Sequence, residues 1–126
     1  MNNEVPLNKF RTFPITLGAE PRQVIYTCPP EVAAVVLFAQ VANVTDTSTL
    51  ANPDDGIEEF TPFFVRDGVF TELLYKAQVY PHDAARTIVG GRLILVPGDQ
   101  LAITASSSNL KINLSVLETA TGGQEG

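Results

Sequence analysis

Residue types that commonly carry out chemistry are scarce in this sequence. The one histidine, His82, precedes Asp83 in YPHDAAR, and the one cysteine, Cys28, ends an apolar run in YTCPPE. A histidine–aspartate pair activates a nucleophile placed beside it, and no G-x-S-x-G stretch supplies one. We therefore expect His82 in a solvated turn and Cys28 buried as a small apolar side chain. The sequence predicts no catalytic residue and no enzymatic activity.

Four acidic side chains fall within the short stretch NPDDGIEE: Asp54, Asp55, Glu58 and Glu59. Carboxylates bind calcium in loops that space them alternately and end in a later Glu, and this stretch lacks that spacing. A metal site built from imidazoles needs more than one histidine. We expect a solvated acidic loop and neither a metal nor another cofactor.

Composition restricts the partners further. The 126 residues carry eight Lys and Arg against fourteen Asp and Glu, for a formal net charge of -6. No basic run could release counterions from phosphates, and no stretch reaches the roughly 20 apolar residues of a membrane helix. Neither nucleic acid nor a membrane is therefore an expected partner. The N-terminal MNNEVPLNKFRTFP lacks the pattern of a secretory signal, which predicts synthesis in the cytoplasm.

Aromatic side chains are concentrated near the dipeptide Asp67-Gly68 and include Phe70. If strands flank this dipeptide, strict alternation turns some of these rings outward. Packing in the core or against another subunit is the interpretation we favour. Stacking on a carbohydrate is the alternative. Together with the N-terminal aromatics and the acidic loop, the candidate interaction residues are Phe10, Phe13, Asp54, Asp55, Phe60, Phe63 and Phe64.

Glycine-containing pairs mark the turns. In LVPGDQ, Pro97 suits the second position of a type II turn and Gly98 permits the positive φ of the third position. Asp67-Gly68 predicts a two-residue hairpin turn between strands over 61–66 and 69–80, and Gly90-Gly91 predicts a turn or bulge. The residues assigned to turns and scaffold are Asp67, Gly68, Gly90, Gly91, Pro97, Gly98 and Asp99.

The apolar segment 33–43, AAVVLFAQVAN, permits two interpretations. A helix would begin near Pro30-Glu31 and use good helix-forming alanines. We favour a strand because β-branched residues predominate and Asn43 closes the run. On a strand, the spacing of two would place one set of side chains on a single face: Val35, Leu37, Ala39 and Val41.

Regular alternation elsewhere indicates the fold class. Residues 110–118 alternate apolar and polar side chains, as a strand with one buried face requires. About seven or eight short strands, spaced near ten residues apart, predict an all-β, single-domain antiparallel β-sandwich or jelly roll over residues 21–119. Residues 1–20 are expected to form an extended arm with at most one short strand over 15–17. Residues 45–60 are expected to form an exposed excursion, and residues 120–126 a tail.

Two segments resemble a family of small virion structural proteins of tailed bacteriophages. They are VIYTCPPEVAAVVLFAQVANVTDTS and GGRLILVPGDQLAITASSSNLKINLSVLE, and the resemblance spans roughly residues 23–118. The family pattern has an IYTVPA-like strand, an apolar strand ending near Asn, a middle hairpin, and a GG-x-L-x-L-x-x-GD-x-L-x-V-x-A-S segment before a strand ending in S-x-L-E. The matching residues are Ile25, Tyr26, Thr27, Pro29, Asn43, Gly90, Gly91, Leu93, Leu95, Gly98, Asp99, Leu101, Ala105, Ser106, Ser115, Leu117 and Glu118.

The resemblance implies a non-enzymatic virion component, located on the capsid surface as a decoration or cement protein, or in the tail and baseplate. It also implies a homo-oligomer, for which we favour a trimer, in contact with other virion proteins. The loop over 47–60 is longer than in the family pattern, and the arm before residue 20 has no counterpart there. Both are therefore candidate docking segments. A carbohydrate-binding or host-adhesion module is the alternative function.

Overall fold

The computed structural model describes residues 8–19, 21–81, 85–88 and 93–120. These residues form a β-sandwich of two antiparallel sheets, which confirms the predicted fold class. Two short 3-10 helices, Thr47–Thr49 and Pro53–Gly56, lie between the third and fourth strands. The strands are β1 (Asn8–Thr16), β2 (Gln23–Thr27), β3 (Val32–Asn43), β4 (Glu58–Arg66), β5 (Val69–Glu72), β6 (Ala77–Val79), β7 (Arg86–Thr87), β8 (Leu93–Leu95), β9 (Gln100–Ala105) and β10 (Leu110–Ala120).

The two sheets share one plan. In the β1 sheet, the order is β1-β10-β3, and both β7 and β8 pair with β3. In the β2 sheet, the order is β2-β9-β4, and both β5 and β6 pair with β4. The described strands number ten rather than the predicted seven or eight, because the outermost position of each sheet is occupied by two short strands instead of one long one.

Pro62 accounts for the division between β5 and β6. The backbone oxygen of Pro62 accepts a hydrogen bond from the N–H of Leu73 at 2.8 Å, so Pro62 faces this neighbour. In an antiparallel sheet the N–H and C=O of one residue point the same way, and proline has no N–H. The ladder is therefore interrupted here, and the N–H of Lys76 donates instead to Thr61 Oγ1 at 3.0 Å. The sequence analysis predicted one continuous strand over 69–80, which is wrong for this reason.

A β-bulge interrupts the pairing of β3 with β10. Ser115 is opposite Phe38 and Val116 is opposite Val36, so Leu37 is the extra residue between them. An extra residue shifts the alternation of side chains by one position. Segment 33–43 is a strand, as predicted.

The bulge also changes which residues of β3 face the core. Ala39 and Val41 are buried, as predicted, but Val35 is only half-buried and Leu37 is exposed. Before the bulge, the buried positions are Ala34 and Val36 instead. The predicted single face is therefore correct only on the C-terminal side of the bulge.

The core lies between the two sheets, and β10 contributes its most regular face. Leu110, Ile112, Leu114 and Val116 are each at most 1% exposed, which confirms the predicted alternation. Burial of this many branched aliphatic side chains supplies the main stabilising term of a domain this size. From the β2 sheet, the core receives Tyr26, Cys28, Phe60, Ala77, Val79, Leu101, Ile103 and Ala105.

The N-terminal segment belongs to the sandwich over more of its length than predicted. β1 has nine residues and pairs with β10 along all of them, whereas the sequence predicted at most a short strand over 15–17. Only Phe13 and Ile15 of β1 pack on the core, so its apolar alternation is too brief to be recognised. Residues 1–7 and 20 of the predicted arm and residues 121–126 of the predicted tail lie outside the described residues.

Asn43 anchors the segment that was predicted to be an exposed excursion. Its side-chain N–H groups donate to the carbonyl oxygens of Gly56 at 2.7 Å and Val79 at 2.8 Å, and its Oδ1 accepts from the N–H of Thr45 at 2.9 Å. Asn43 is 7% exposed, so these bonds satisfy a buried amide. The excursion is thus attached to the sandwich at both ends, and β4 begins earlier than predicted, at Glu58.

Candidate interaction surface

One apolar side chain from each of four strands forms a continuous row across the outer side of the β1 sheet. Phe10 of β1 is opposite Leu117 of β10, Leu117 is opposite Val35 of β3, and Val35 is opposite Ile94 of β8. We call these four residues the apolar row. With strands about 4.8 Å apart, the row spans about 14 Å.

The ends of the apolar row are much more exposed than its centre. Phe10 is 74% exposed and Ile94 is 59% exposed, whereas Leu117 and Val35 are half-buried. The bulge in β3 adds two neighbouring side chains, Leu37 and Phe38, at 45% and 42% exposure. Taking about 200 Å² for a whole aromatic side chain and somewhat less for an aliphatic one, these six side chains expose roughly 500 Å². Apolar patches of this size commonly mark interaction sites.

The positions around the apolar row are almost uncharged. By register, the outward residues of the described strands in this sheet include one charged side chain, Lys111, whose ammonium donates to Thr16 Oγ1 at 2.9 Å. Beside the row, the hydroxyls of Thr12 and Ser115 are hydrogen-bonded at 3.1 Å. The net charge of -6 is therefore carried elsewhere on the protein.

The outer side of the β2 sheet also carries apolar residues, and the chain covers most of them itself; Val24, opposite Ala102, is the outward apolar residue that stays 50% exposed. Phe63, Val65 and Ala102 are at most 6% exposed and form a cluster with Phe70, which we call the covered cluster. The guanidinium of Arg22 lies 4.6 Å from the ring centre of Phe70 and 5.4 Å from that of Phe63. The N–H of Arg22 donates to Thr104 Oγ1 at 2.9 Å, which fixes the backbone beside the cluster.

A buried carboxylate connects the two sheets. Glu118 of β10 is 7% exposed, and its Oε2 accepts a hydrogen bond from the Tyr26 hydroxyl of β2 at 2.6 Å. Arg11 lies 3.5 Å from the same oxygen. Desolvation, and then the hydrogen bond to Glu118, raise the pKa of Tyr26 above its ordinary value. Tyr26 therefore stays protonated and donates to Glu118, which is a structural role between the sheets.

Asp99 fixes the turn between β8 and β9. The N–H of Asp99 donates to the Val96 carbonyl at 3.0 Å and Gly98 has φ +90°, which agree with the predicted type II turn. The Asp99 carboxylate accepts two hydrogen bonds from Arg66, at 2.9 and 2.6 Å, and one from the Val96 N–H at 2.9 Å. The Arg66 hydrogen bonds are the main cause that lowers the pKa of Asp99. Asp99 thereby joins the turn to the end of β4.

Cys28 is buried beside this turn. Its backbone N–H donates to the Asp99 carbonyl at 2.8 Å, and its Sγ lies 3.3 Å from the Val32 carbonyl oxygen. Burial, and then the negative charges of Asp99 and Glu118, raise the pKa of the Cys28 thiol. A protonated, buried thiol is a poor nucleophile, and the side chain packs in the core as predicted.

Among the predicted interaction residues, Phe10 is the most exposed aromatic side chain. Phe13 is half-buried, with its ring 5.8 Å from that of Tyr26. Phe60 is 1% exposed, so its assignment to an interaction surface is wrong; β4 begins two residues before it and turns it into the core. Phe63 is also buried, within the covered cluster, which contradicts the same assignment. Phe64 packs partly on the core, with the Arg66 guanidinium 5.1 Å from its ring centre.

The remaining predicted residues are distributed as follows. Asp67 and Gly68 form the hairpin turn between β4 and β5 with φ values of +54° and +78°. Asp55 is exposed and the Asp54 side chain lies outside the described part of the chain. Gly90, Gly91, His82 and Asp83 also lie outside the described residues.

The described part of the molecule contains no metal-binding cluster, and the pocket that its residues form is small. No three His, Cys, Asp or Glu side chains there are grouped as metal ligands would be. In the acidic stretch, Glu58 instead accepts a hydrogen bond from the Ser106 hydroxyl at 2.5 Å. A shallow pocket of about 120 Å³ beside Thr61, Lys76 and Thr104 is smaller than typical small-molecule sites. The described residues contain no helix long and apolar enough to cross a membrane.

Five exposed or half-buried residues of this face are absent from the interaction residues predicted from the sequence: Leu117, Val35, Ile94, Leu37 and Phe38. One local signal was present, because Leu117 breaks the polar set formed by the preceding outward residues of β10. The other four lie in runs that are apolar on both faces, where alternation cannot separate inward from outward positions.

The chain was also compared with known proteins. No protein-family model, curated protein or solved structure matches it.

Proposed function

We propose that this protein is a non-enzymatic structural component of a tailed-phage virion, located on the capsid as a decoration or cement protein, or in the tail and baseplate. It acts through contacts with copies of itself and with other virion proteins. The observation that carries the proposal is the apolar row with its bulge neighbours, an exposed and nearly uncharged surface on a regular sheet. Such a surface favours protein contact over small-molecule chemistry.

The strand pairing supports a jelly-roll form of the sandwich. Strands pair first with last and inward from there: β1 with β10, β2 with β9, β3 with β8, and β4 with β5. This nested pairing is what results when one long hairpin folds over on itself, as in jelly rolls. Virus capsid proteins and lectins both have that architecture. The pairing is therefore compatible with the proposed structural role, but it does not distinguish that role from carbohydrate binding.

The aromatic cluster behind the carbohydrate alternative offers that function little support. A sugar-binding platform needs the face of an aromatic ring open to solvent. Phe60 and Phe63 are buried, while Phe64 and Phe70 are only partly exposed. We therefore propose the assembly role alone.

The experiment is to look for the protein in purified particles. Virions from a culture that produces the protein are purified by density gradient, and their proteins are identified by mass spectrometry. Immunogold labelling then locates the protein on the capsid or on the tail. We expect it to be present in fixed proportion to the major capsid or tail protein. Its absence from intact particles, with the free protein detected in the lysate, would contradict the proposal.

A further inference from the structure

We propose that the outer face of the β1 sheet is the surface through which two copies of this chain pair face to face about a twofold axis. The inference rests on the proposed role in assembly and names the surface that role would use. The contact comprises the apolar row together with Leu37 and Phe38. Its occupant is a second copy of the same sheet, so this proposal replaces the trimer favoured from the sequence with a dimer.

The shape of the apolar row suits pairing with itself. Its two ends, Phe10 and Ile94, are the exposed points, while Leu117 and Val35 between them are half-buried. A twofold axis that runs parallel to the strands through the centre of the row reverses the direction of the row in the partner. Phe10 of each copy then meets Ile94 of the other, and the two pairs of central side chains meet in the middle. An isologous contact needs this kind of self-complementary surface.

The charge distribution also favours a second copy. Two chains of net charge -6 repel each other, and a neutral contact surface keeps this repulsion small because the charges lie farther apart and are screened by salt. The outward positions of this sheet, as far as they are described, include one charged residue, Lys111, near the end of the sheet that is remote from Phe10. A strongly charged partner would find no complementary charges here. An identical neutral face meets no penalty for desolvating ions.

The exposed area of the β1-sheet face and the free edge of β1 both favour face-to-face pairing. The roughly 500 Å² of exposed apolar surface, with the small polar residues beside it, approaches the 800 Å² or so that each partner contributes to a standard interface. Pairing along the free edge of β1 is less favourable. The N–H of Leu17 donates to the Leu110 carbonyl of β10, so the backbone N–H and C=O groups of the even-numbered residues of β1 point to the free edge. One of these residues is Pro14, which has no N–H to donate to another strand. The face, rather than the edge, is the continuous surface.

The test uses opposite charges at the two ends of the apolar row. In the full chain, Phe10→Glu and Ile94→Lys are made singly and together, with Val69→Glu as the matched control. Val69 is 64% exposed and lies in the other sheet. Circular dichroism and thermal unfolding first establish that each variant is folded. Analytical ultracentrifugation over the micromolar range then gives the mass and the Kd.

We expect the parent chain and Val69→Glu to form particles of twice the 13.6 kDa chain mass. Each single row variant should raise the dimer Kd by about 30-fold or more, because a charge would be buried without a partner. The double variant should recover most of that loss, since each Glu would then meet a Lys of the other copy.

Four outcomes would overturn the inference. These are a folded parent chain that stays monomeric at high micromolar concentration, a dimer insensitive to both single variants, a trimer, and a double variant that fails to recover. A dimer that is absent from virions would defeat the proposed function alone. A monomer found in virions would defeat this inference alone.

Discussion

The two outer faces of the sandwich differ in how far their apolar side chains are exposed to solvent. On the β2 sheet, Phe63 and its neighbours lie beneath Phe70 and the guanidinium of Arg22. On the β1 sheet, Phe10 and Ile94 stand 74% and 59% exposed at the ends of a row that crosses four strands. Both faces carry apolar residues in register, but the β2 sheet covers most of its own with other parts of the chain and leaves Val24 at 50% exposure.

The cations follow the same division. Arg22 lies over two rings of the covered cluster, and Arg66 lies over Phe64 while it donates to Asp99. The described outward positions of the β1 sheet have Lys111 alone, bonded to Thr16. Intramolecular contacts thus bury the covered cluster on one face and leave the ends of the apolar row exposed on the other. The covered cluster therefore contributes contacts to the folding of the chain, whereas the ends of the apolar row stay exposed.

The largest expected effect concerns the covered cluster. Phe63→Ala should lower the free energy of unfolding by about 3 kcal/mol, because it removes a buried ring and leaves a cavity. Phe63 is 6% exposed and packs edge to face on Phe70, with ring centres 5.7 Å apart. Urea unfolding followed by circular dichroism measures the change. A loss below about 1 kcal/mol would mean that this face, too, contributes little to folding.

Asp99→Asn should have the next largest effect. The carboxylate is 3% exposed and accepts two hydrogen bonds from Arg66, so its replacement by an amide loses an ion pair at the end of the β2 sheet. We expect the Tm at pH 7 to fall by about 5–10 °C. Asp67→Asn is the control, because Asp67 is exposed and Asn also tolerates its positive φ.

The same substitution should change the response to acid. Arg66 lowers the pKa of Asp99 in the folded state, so the stability that Asp99 contributes is present above the ordinary aspartate pKa of about 4. It is lost as the pH falls from there through the folded-state pKa. The parent should therefore lose more stability than Asp99→Asn below about pH 4. Parallel acid profiles for the two proteins would show that the Arg66 contact contributes nothing.

Removal of the covering arginine should have a smaller effect. Arg22→Ala should cost about 0.5–1 kcal/mol, the usual contribution of an exposed cation over aromatic rings. It should also increase binding of a hydrophobic dye, because Phe63 and Phe70 become accessible. Arg22→Met keeps an apolar stem without the charge and should restore low dye binding but not the full stability. Unchanged dye binding in Arg22→Ala would show that Arg22 does not cover the cluster.

Much of the fold can be predicted from the sequence, because its signals are local. The alternation over 110–118 fixes which side of β10 is buried, and the pairs Asp67-Gly68 and Pro97-Gly98 mark the turns. The covered status of Phe60 and Phe63 could not be predicted. It depends on where β4 begins and on Arg22, which is more than 30 residues away in the sequence.

The apolar row could not be predicted from the sequence either, because it also depends on contacts between distant segments. Its members come from residues 10, 35, 94 and 117, and only the pairing of four strands brings them together. The β-bulge at Leu37 also reverses which side chains of β3 face outward on its N-terminal side. Pairing register and bulges arise from contacts between distant segments, so no window of sequence contains them.

The smallest expected effect on folding belongs to the exposed face. Under dilute conditions, Phe10→Ser should change the free energy of unfolding by less than about 0.5 kcal/mol, because the ring makes few contacts within its own chain. If copies pair as proposed, the parent should gain stability from association, and its Tm should rise with concentration. The Tm of Phe10→Ser should stay nearly constant over the same range.

Thermal unfolding of both proteins over about a hundredfold range of concentration separates these effects. Ile15→Ser is the contrasting variant, since Ile15 lies on the inner side of the same strand and packs against the core. It should lower the Tm by a similar amount at every concentration, because its contacts are within one chain. If Phe10→Ser behaves in the same way as Ile15→Ser, Phe10 belongs to the folding of its own chain. The two outer faces would then differ in exposure but not in role.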